Sequence, residues 1–199
     1  MDYFVIQVRT REEEKYVKMA EERLFEERLV DPDDMRILFP RRKLRIRRRG
    51  KMLEEQAPIF PGYIFLETDF EERRAEEAPL PADLHWALRR LPGFIRFLEN
   101  NQNIRPLGGR DRELLLHFIR FGEVVERSTV TFDENRRIHV VNGPLKGLEG
   151  LIVKVDKRKG RAKIRLDMYK DSFLVDLGFD IIAPTETDRP AKTDRPKES

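Results

Sequence analysis

Apolar and charged positions alternate over short distances in the first part of this chain. The segments YFVIQV (3–8) and IFPGYIFL (59–66) are rich in β-branched and aromatic residues, which predicts two buried strands. Residues 36–48 contain LRIR, whose alternation predicts a strand with one apolar edge and one basic edge. FIRFL (94–98) predicts a further strand, and the acidic residues 67–81 predict an exposed loop.

Three segments carry apolar residues at the spacing of an amphipathic helix. The first opens at Thr10, which has Glu13 three positions later in the pattern of a capping box, and extends to about Leu29. The second covers residues 84–91 and stops at a Pro-Gly pair, and the third covers residues 111–120. This order of elements predicts an α+β sandwich in which helices flank an antiparallel sheet.

The pattern changes after residue 120. Residues 121–130 have no strong period and predict a linker between an N-terminal domain (1–120) and a second domain. From 131 to 184 the chain carries short apolar runs separated by turns with Gly or Asp, which predicts a small five-stranded, all-β barrel. The polar residues 185–199 repeat TDRP and predict a disordered tail. The predicted barrel strands are 138–141, 151–155, 161–166, 173–177 and 181–183.

The composition argues against an enzyme and against a metal or cofactor site. The chain has no cysteine, which excludes disulfides and thiolate ligands. The histidines at 85, 117 and 139 lack metal-ligand spacing, and no Gly-rich phosphate loop follows a strand. No secretory signal opens the sequence, and no apolar segment approaches the roughly 18 residues of a membrane span. We therefore expect a soluble, cytoplasmic, monomeric protein without catalytic activity, cofactor or membrane contact.

Residues 41–51 form the hairpin cluster, in which eight of eleven residues are Lys or Arg and none is acidic. Such a concentration of charge favours a polyanion partner, because phosphate binding releases counterions. The alternative is a solvated edge strand whose cations prevent aggregation. The cluster consists of Arg41, Arg42, Lys43, Arg45, Arg47, Arg48, Arg49 and Lys51.

A second set of cations, the barrel cluster, lies in the predicted barrel. Residues 157–159 crowd a turn, and the following segment alternates cations with apolar residues, which predicts one basic and one buried face. A basic face of this kind is suited to phosphate binding, and the alternative is a surface strand that merely alternates. The cluster consists of Lys154, Lys157, Arg158, Lys159, Arg161, Lys163 and Arg165.

The aromatic residues Tyr3, Phe4, Phe60 and Tyr63 form a further set, with Pro61 and Gly62 between the last two. We call Tyr3, Phe60 and Tyr63 the aromatic cluster. Proline removes a donor from a strand, so this Pro-Gly pair predicts a kink that exposes Phe60 and Tyr63. Exposed aromatic rings beside a sheet suit a protein partner. The alternative is that these rings belong to the core.

The quoted segments resemble a known family. YFVIQVRT, APIFPGYIFLE (57–67) and LPGFIRFL (91–98) resemble the N-terminal (NGN) domain of the NusG/Spt5 transcription factors. IHVVNGPLKGLEGLIVKVD (138–156) resembles their C-terminal KOW domain, an SH3-like barrel. In this segment Gly143, Gly147 and Gly150 fall where tight turns or close backbone approach are expected.

The resemblance implies specific partners. The N-terminal domain would dock on the clamp helices of RNA polymerase through Tyr3, Phe60 and Tyr63, with Pro61 and Gly62 shaping that face. The hairpin cluster would contact upstream or non-template DNA. The KOW barrel would recruit a termination factor, a ribosomal protein or RNA.

Within this family the long basic hairpin, the acidic loop and the basic barrel resemble specialised paralogues of the LoaP type. Those proteins are operon-specific antiterminators whose KOW domain binds an RNA hairpin. Two alternatives stay open: a general NusG-type elongation factor whose barrel recruits proteins, and a ribosome-associated KOW protein with a structural role.

Overall fold

The structure, a computed structural model, describes residues 1–69, 80–100, 103–169 and 171–182. The predicted tail and most of the predicted acidic loop lie outside the described residues. An α+β N-terminal domain is followed by an all-β C-terminal domain, and this fold class is the one that the sequence predicts.

The N-terminal domain is built on a four-stranded antiparallel sheet of order β2-β5-β1-β6. Its helices are α1 (Glu13–Glu21), α2 (Ala82–Arg89) and α3 (Gly109–Ile119). Its strands are β1 (Asp2–Val8), β2 (Met35–Leu38), β3 (Arg41–Arg48), β4 (Lys51–Pro58), β5 (Tyr63–Thr68), β6 (Phe94–Phe97), β7 (Glu99–Asn100), β8 (Asn103–Ile104) and β9 (Val124–Val125).

Both faces of this sheet are covered. Phe4 and Ile6 of β1 share an apolar cluster with Tyr16 of α1 and Leu84 of α2. Successive strand residues point to opposite faces, and Val5 accordingly belongs to a separate apolar cluster that includes residues of α3. The two-sided cover explains why β1 and β5 are nearly continuous apolar runs.

The first helix differs from the prediction at both ends. Thr10 does not cap it, because the first helical residue is Glu13, whose buried carboxylate accepts the Gly62 N–H at 2.8 Å. The α-helix ends at Glu21 and continues as a π-helix (Glu22–Glu26) rather than reaching Leu29.

The hairpin cluster lies on a hairpin of its own. The predicted single strand 36–48 is divided into β2 and β3, and the segment that returns along β3 is β4, not residues 59–66. Arg48 is paired with Lys51, so Arg49 and Gly50 form a two-residue turn with φ of 51° and 81°. Two positive φ values in succession characterise the type I′ turn, which matches the twist of hairpin strands.

The C-terminal domain is a curled five-stranded sheet of order β11-β10-β14-β13-β12. Ala162, Ile164 and Leu166 are fully buried, as their alternation predicts. The structure differs from the prediction elsewhere: the segment 121–130 contains β9 and the start of β10, and residues 173–177 and 181 belong to one strand. The strands are β10 (Ser128–Phe132), β11 (Ile138–Asn142), β12 (Ile152–Asp156), β13 (Arg161–Met168) and β14 (Asp171–Ile181).

Candidate functional site

The aromatic cluster is buried, which contradicts the prediction that the Pro-Gly kink exposes it. Phe60 is 1% exposed, Tyr63 2% and Tyr3 4%. The kink is present, since Gly62 has a φ of 82° and Tyr63 N–H donates to Phe60 O at 3.1 Å. It turns the Phe60 ring inward, where it meets Phe65 and Phe118 edge-on with centroid distances of 5.3 and 5.7 Å.

The C-terminal domain covers the Tyr63 side of this cluster. The Tyr63 ring meets Phe173 edge-on at 5.3 Å, and its hydroxyl donates to the Asp171 carboxylate. Burial, followed by the hydrogen bond to Asp171, raises the pKa of Tyr63. One apolar cluster therefore runs from Val5 in the N-terminal sheet to Val175 in β14, and we call this arrangement the docked state.

Helix α3 supplies a second part of the docking contact. His117 Nε2 lies 2.8 Å from the carbonyl oxygen of Pro144, which precedes β12. The Tyr169 N–H donates to the Asp111 carboxylate at 3.1 Å. Desolvation lowers the pKa of His117, although the contact with Pro144 opposes this shift. The neutral imidazole is thus the form that fits the docked state.

Tyr3 lies at the other end of the aromatic cluster and is held by charged neighbours. Its hydroxyl donates to Glu67 at 2.8 Å, and the Arg112 guanidinium lies 5.4 Å from its ring centroid. Arg36 pairs with the same Glu67 at 3.2 Å. Burial, reinforced by Glu67, raises the pKa of Tyr3 to about 12, so this hydroxyl stays protonated and can donate.

The hairpin cluster is divided into a bound root and an exposed tip. Arg42 Nε donates to the Asp176 carbonyl at 2.6 Å, Arg45 pairs with Asp180 at 2.8 Å, and Lys43 pairs with Glu126. Burial lowers the pKa of Arg42 to about 10. Arg41 pairs with Glu14 at 3.4 Å and Glu123 at 3.9 Å. The cations of the exposed tip are Arg47, Arg48, Arg49 and Lys51.

The barrel cluster is divided in a similar way. Arg161 Nη2 donates to the Arg45 carbonyl at 2.7 Å across the seam between the domains, and Lys163 pairs with Asp176 of the neighbouring strand β14 at 2.9 Å. Lys157 lies over the Phe132 ring at 3.6 Å. The remaining members are exposed at the surface: Lys154, Arg158, Lys159 and Arg165.

Arg127 is a central residue of the seam that sequence reasoning missed. Its side chain is 8% exposed, its Nε lies 2.9 Å from Asp180, and it also donates to the Phe179 carbonyl. A Cβ on Gly178 would lie 3.0 Å from the Arg127 side chain. The sequence offers only a weak signal for this contact, because an arginine within a predicted linker gives no hint of acidic partners about fifty positions away.

The three glycines of the KOW-like segment have different environments. Gly143 has a φ of 98°, and a Cβ there would lie 2.7 Å from the Ser128 Cα, so only glycine fits without a shift. Gly147 has a φ of 86° in open surroundings. Gly150 has neither a positive φ nor a close neighbour, which differs from the expectation for this position.

The histidines lie in separate environments. His85 stacks on Phe97 at 5.0 Å, while His139 pairs with Asp133 at 3.4 Å on an exposed surface. Among the described residues, no group of three or more His, Cys, Asp or Glu side chains could hold a metal ion. In the same part of the chain, no helix is both long enough and apolar enough to cross a membrane.

Comparison with known proteins gives consistent results. A family model described as "Transcription termination factor nusG" matches residues 1–116. The curated protein "Transcription termination/antitermination protein NusG" of Thermus thermophilus is 24% identical over 183 residues, which cover 90% of this chain and 96% of the relative. The protein of the same name from Neisseria meningitidis is 23% identical over 180 residues, with 89% and 94% coverage.

A solved structure described as "Domain interaction in Thermotoga maritima NusG" is similar with a TM-score of 0.53 and 18% identity, covering 89% of this chain and 93% of that chain. At this identity the similarity concerns the fold, an α+β domain followed by a curled β-domain. The family model covers more than half of the 199 residues. This chain belongs to the NusG family, whose curated relatives are named as transcription termination and antitermination proteins.

Proposed function

We propose that this protein is a transcription elongation and antitermination factor that binds RNA polymerase through its N-terminal domain and nucleic acid through its basic clusters. The observation that carries the proposal is the family match over residues 1–116, which include both the aromatic cluster and the hairpin cluster. The factor performs no chemistry. It acts because binding energy that favours the elongating polymerase over the paused one shifts the population between the two.

Polymerase binding through the aromatic cluster requires the C-terminal domain to move. Tyr63 contacts Asp171 and Phe173 in the docked state, so its ring and hydroxyl are not available to a partner. Separation of the domains would expose Tyr63 and release the root of the hairpin cluster at the same time. The upstream or non-template DNA would then bind the exposed tip and the released Arg42 and Arg45.

We further propose that the C-terminal domain binds structured RNA, as expected for an operon-specific factor of the LoaP type. The exposed cations of the barrel cluster support this proposal, because RNA helices are recognised mainly by shape and phosphate. Arg161 would join them once the domains separate, since its guanidinium donates to the Arg45 carbonyl in the docked state. Capture of nascent RNA would raise the effective concentration of the factor at one transcript.

A general elongation factor whose C-terminal domain recruits proteins is the second candidate. Val153 and Leu174 support it, because these apolar side chains of β12 and β14 are 50% and 59% exposed. Exposed apolar residues on a sheet are suited to a protein partner such as a termination factor or ribosomal protein.

In vitro transcription with purified RNA polymerase tests the proposal. We expect the full chain to bind the polymerase and shorten pauses, and a Lys157→Ala/Arg158→Ala/Lys159→Ala variant to keep polymerase binding while losing binding of structured RNA. RNA recovered with the factor and sequenced would identify the target transcript. Equal RNA binding by the variant would favour the protein-recruiting candidate, and co-purification with ribosomes instead of polymerase would contradict the proposal.

A further inference from the structure

The two basic clusters meet at one end of the docked molecule. Strands β3 and β14 run in the same direction, because Arg42 contacts the Asp176 carbonyl at 2.6 Å and Arg45 contacts the Asp180 carboxylate at 2.8 Å. The tip of the hairpin, at residues 47–51, therefore continues in the direction of the carboxyl end of β14.

The turn between β12 and β13 lies at this same end. Phe179 N–H donates to the Gly160 carbonyl at 2.8 Å, and Arg161 Nη2 donates to the Arg45 carbonyl at 2.7 Å. Residues 157–159 immediately precede Gly160. The cations of this turn therefore lie next to the strand that leads to the hairpin tip, although more than a hundred positions separate the two clusters in sequence.

The acidic groups that face the seam from β14 and from this turn are already paired. Asp180 is paired with Arg45 and Arg127, and these contacts lower the pKa of its carboxyl, with Arg127 the larger cause. Asp156 lies 3.9 Å from Lys159 Nζ and accepts the backbone N–H of the same residue. Within the described residues no ion pair involves the exposed cations Arg47, Arg48, Arg49, Lys51, Lys157 and Arg158.

We propose that these cations form one surface, present only in the docked state, that binds the sugar-phosphate backbone of a single nucleic-acid duplex. The inference rests on the proposed function, in which each cluster binds nucleic acid. It adds that one molecule spans both clusters and stabilises the docked state, because a ligand shifts a population toward the state that it binds better. Such a duplex would keep the aromatic cluster covered and oppose polymerase binding.

Titrations of the full chain with a labelled 20-base-pair DNA duplex, and separately with an RNA hairpin of equal length, test the surface. Two double variants, Arg47→Gln/Arg49→Gln and Lys157→Gln/Arg158→Gln, each remove two unpaired cations, one pair from each side of the seam. Each pair should lower the salt slope for the same DNA duplex by about 1.8, since one phosphate contact contributes about 0.9. The control variant Arg89→Gln/Arg90→Gln, at the carboxyl end of α2, removes equal charge outside both basic clusters and should leave the slope unchanged.

A distance measurement tests whether the duplex bridges the docked domains. Because the chain has no cysteine, spin labels can be placed at Glu21→Cys and Val153→Cys. We expect one duplex to bind per chain. When duplex is added, the mean distance between the labels should stay at its docked value, and the distribution of distances should keep its width or become narrower.

The outcomes separate this inference from the proposed function. Three outcomes would overturn the shared surface and leave nucleic-acid binding intact. They are binding of two duplexes per chain, a salt slope that only one of the two double variants changes, and an increase in label distance when duplex is added. Absence of duplex binding by the unaltered chain would overturn both. If polyglutamate binds as tightly as the duplex, the assignment to nucleic acid is contradicted. If the affinities for the DNA duplex and the RNA hairpin differ, the tighter of the two identifies the preferred nucleic acid.

Discussion

At the residue scale, Tyr63 lies in the contact between the domains and, in the proposed function, also in the face that binds the polymerase, and these two uses exclude each other. Its ring packs on Phe173 and its hydroxyl donates to Asp171 in the docked state, while the family resemblance assigns the same residue to polymerase docking. The sequence correctly predicts the Pro-Gly kink beside Tyr63, but the prediction that this kink exposes the Tyr63 ring is wrong. The covering residues come from β14, more than a hundred positions away, and no local pattern reports such a contact.

Tyr63→Phe removes only the hydroxyl that Asp171 accepts. We expect the N-terminal domain to remain folded and the docked population to fall, because the Asp171 carboxylate loses its donor while the ring packing is retained. Polymerase affinity should therefore rise. Tm and polymerase binding of the full chain check both effects, with Tyr16→Phe as a control in the other apolar cluster. Unchanged docking in Tyr63→Phe would show that the hydroxyl contributes nothing to it.

Phe60 is a core residue, and its truncation should act through stability. Its ring fills the space between Phe65 and Phe118, so Phe60→Ala should lower the free energy of unfolding by about 3–5 kcal/mol. Chemical denaturation of the full chain measures this loss. A variant with near-normal stability and weakened polymerase binding would instead support a direct contact between Phe60 and the polymerase.

At the element scale, the hairpin and β14 hold the seam together. The alternation in residues 44–47 predicts a strand, and the continuous basic run predicts an exposed surface for the tip. Neither pattern reveals that the root is bound, because Arg42 and Arg45 have their partners in β14. The local pattern also predicts two strands where the structure has the single strand β14. Gly178 interrupts the apolar run at the point where the backbone passes close to Lys43 and Arg127.

Helix α3 should make docking depend on pH through His117. Burial lowers the pKa of His117 below its ordinary value of 6.5, and the contacts with Pro144 and Glu149 oppose this shift. The net contribution of His117 to the folded, docked chain is therefore complete above pH 6.5 and is lost as the pH falls through the lowered pKa. The label distance between positions 21 and 153, measured from pH 7.5 to 5, should reveal a growing separated population. His117→Gln should reduce this dependence, whereas His139→Gln, on an exposed surface, should preserve it. An identical pH response in His117→Gln would exclude this histidine as the cause.

At the scale of the whole molecule, docking couples the two proposed activities. The fold class and the two basic clusters follow from periodicity and charge, which are local properties of the sequence. The docked arrangement depends on side chains such as Arg127, Asp171 and Asp180, whose partners are distant in sequence, and it could not be predicted from local patterns. In the proposed function, polymerase binding and the docked state therefore compete for the same face.

The most direct test is the label distance between Glu21→Cys and Val153→Cys, measured by electron paramagnetic resonance with and without purified RNA polymerase. We expect one narrow distribution of label distances in the free protein, and a longer, broader distribution when the polymerase is bound. Tyr63→Phe should reach the longer distribution at a lower polymerase concentration. A polymerase-bound protein that keeps the label distance of the free protein would contradict the competition between docking and polymerase binding.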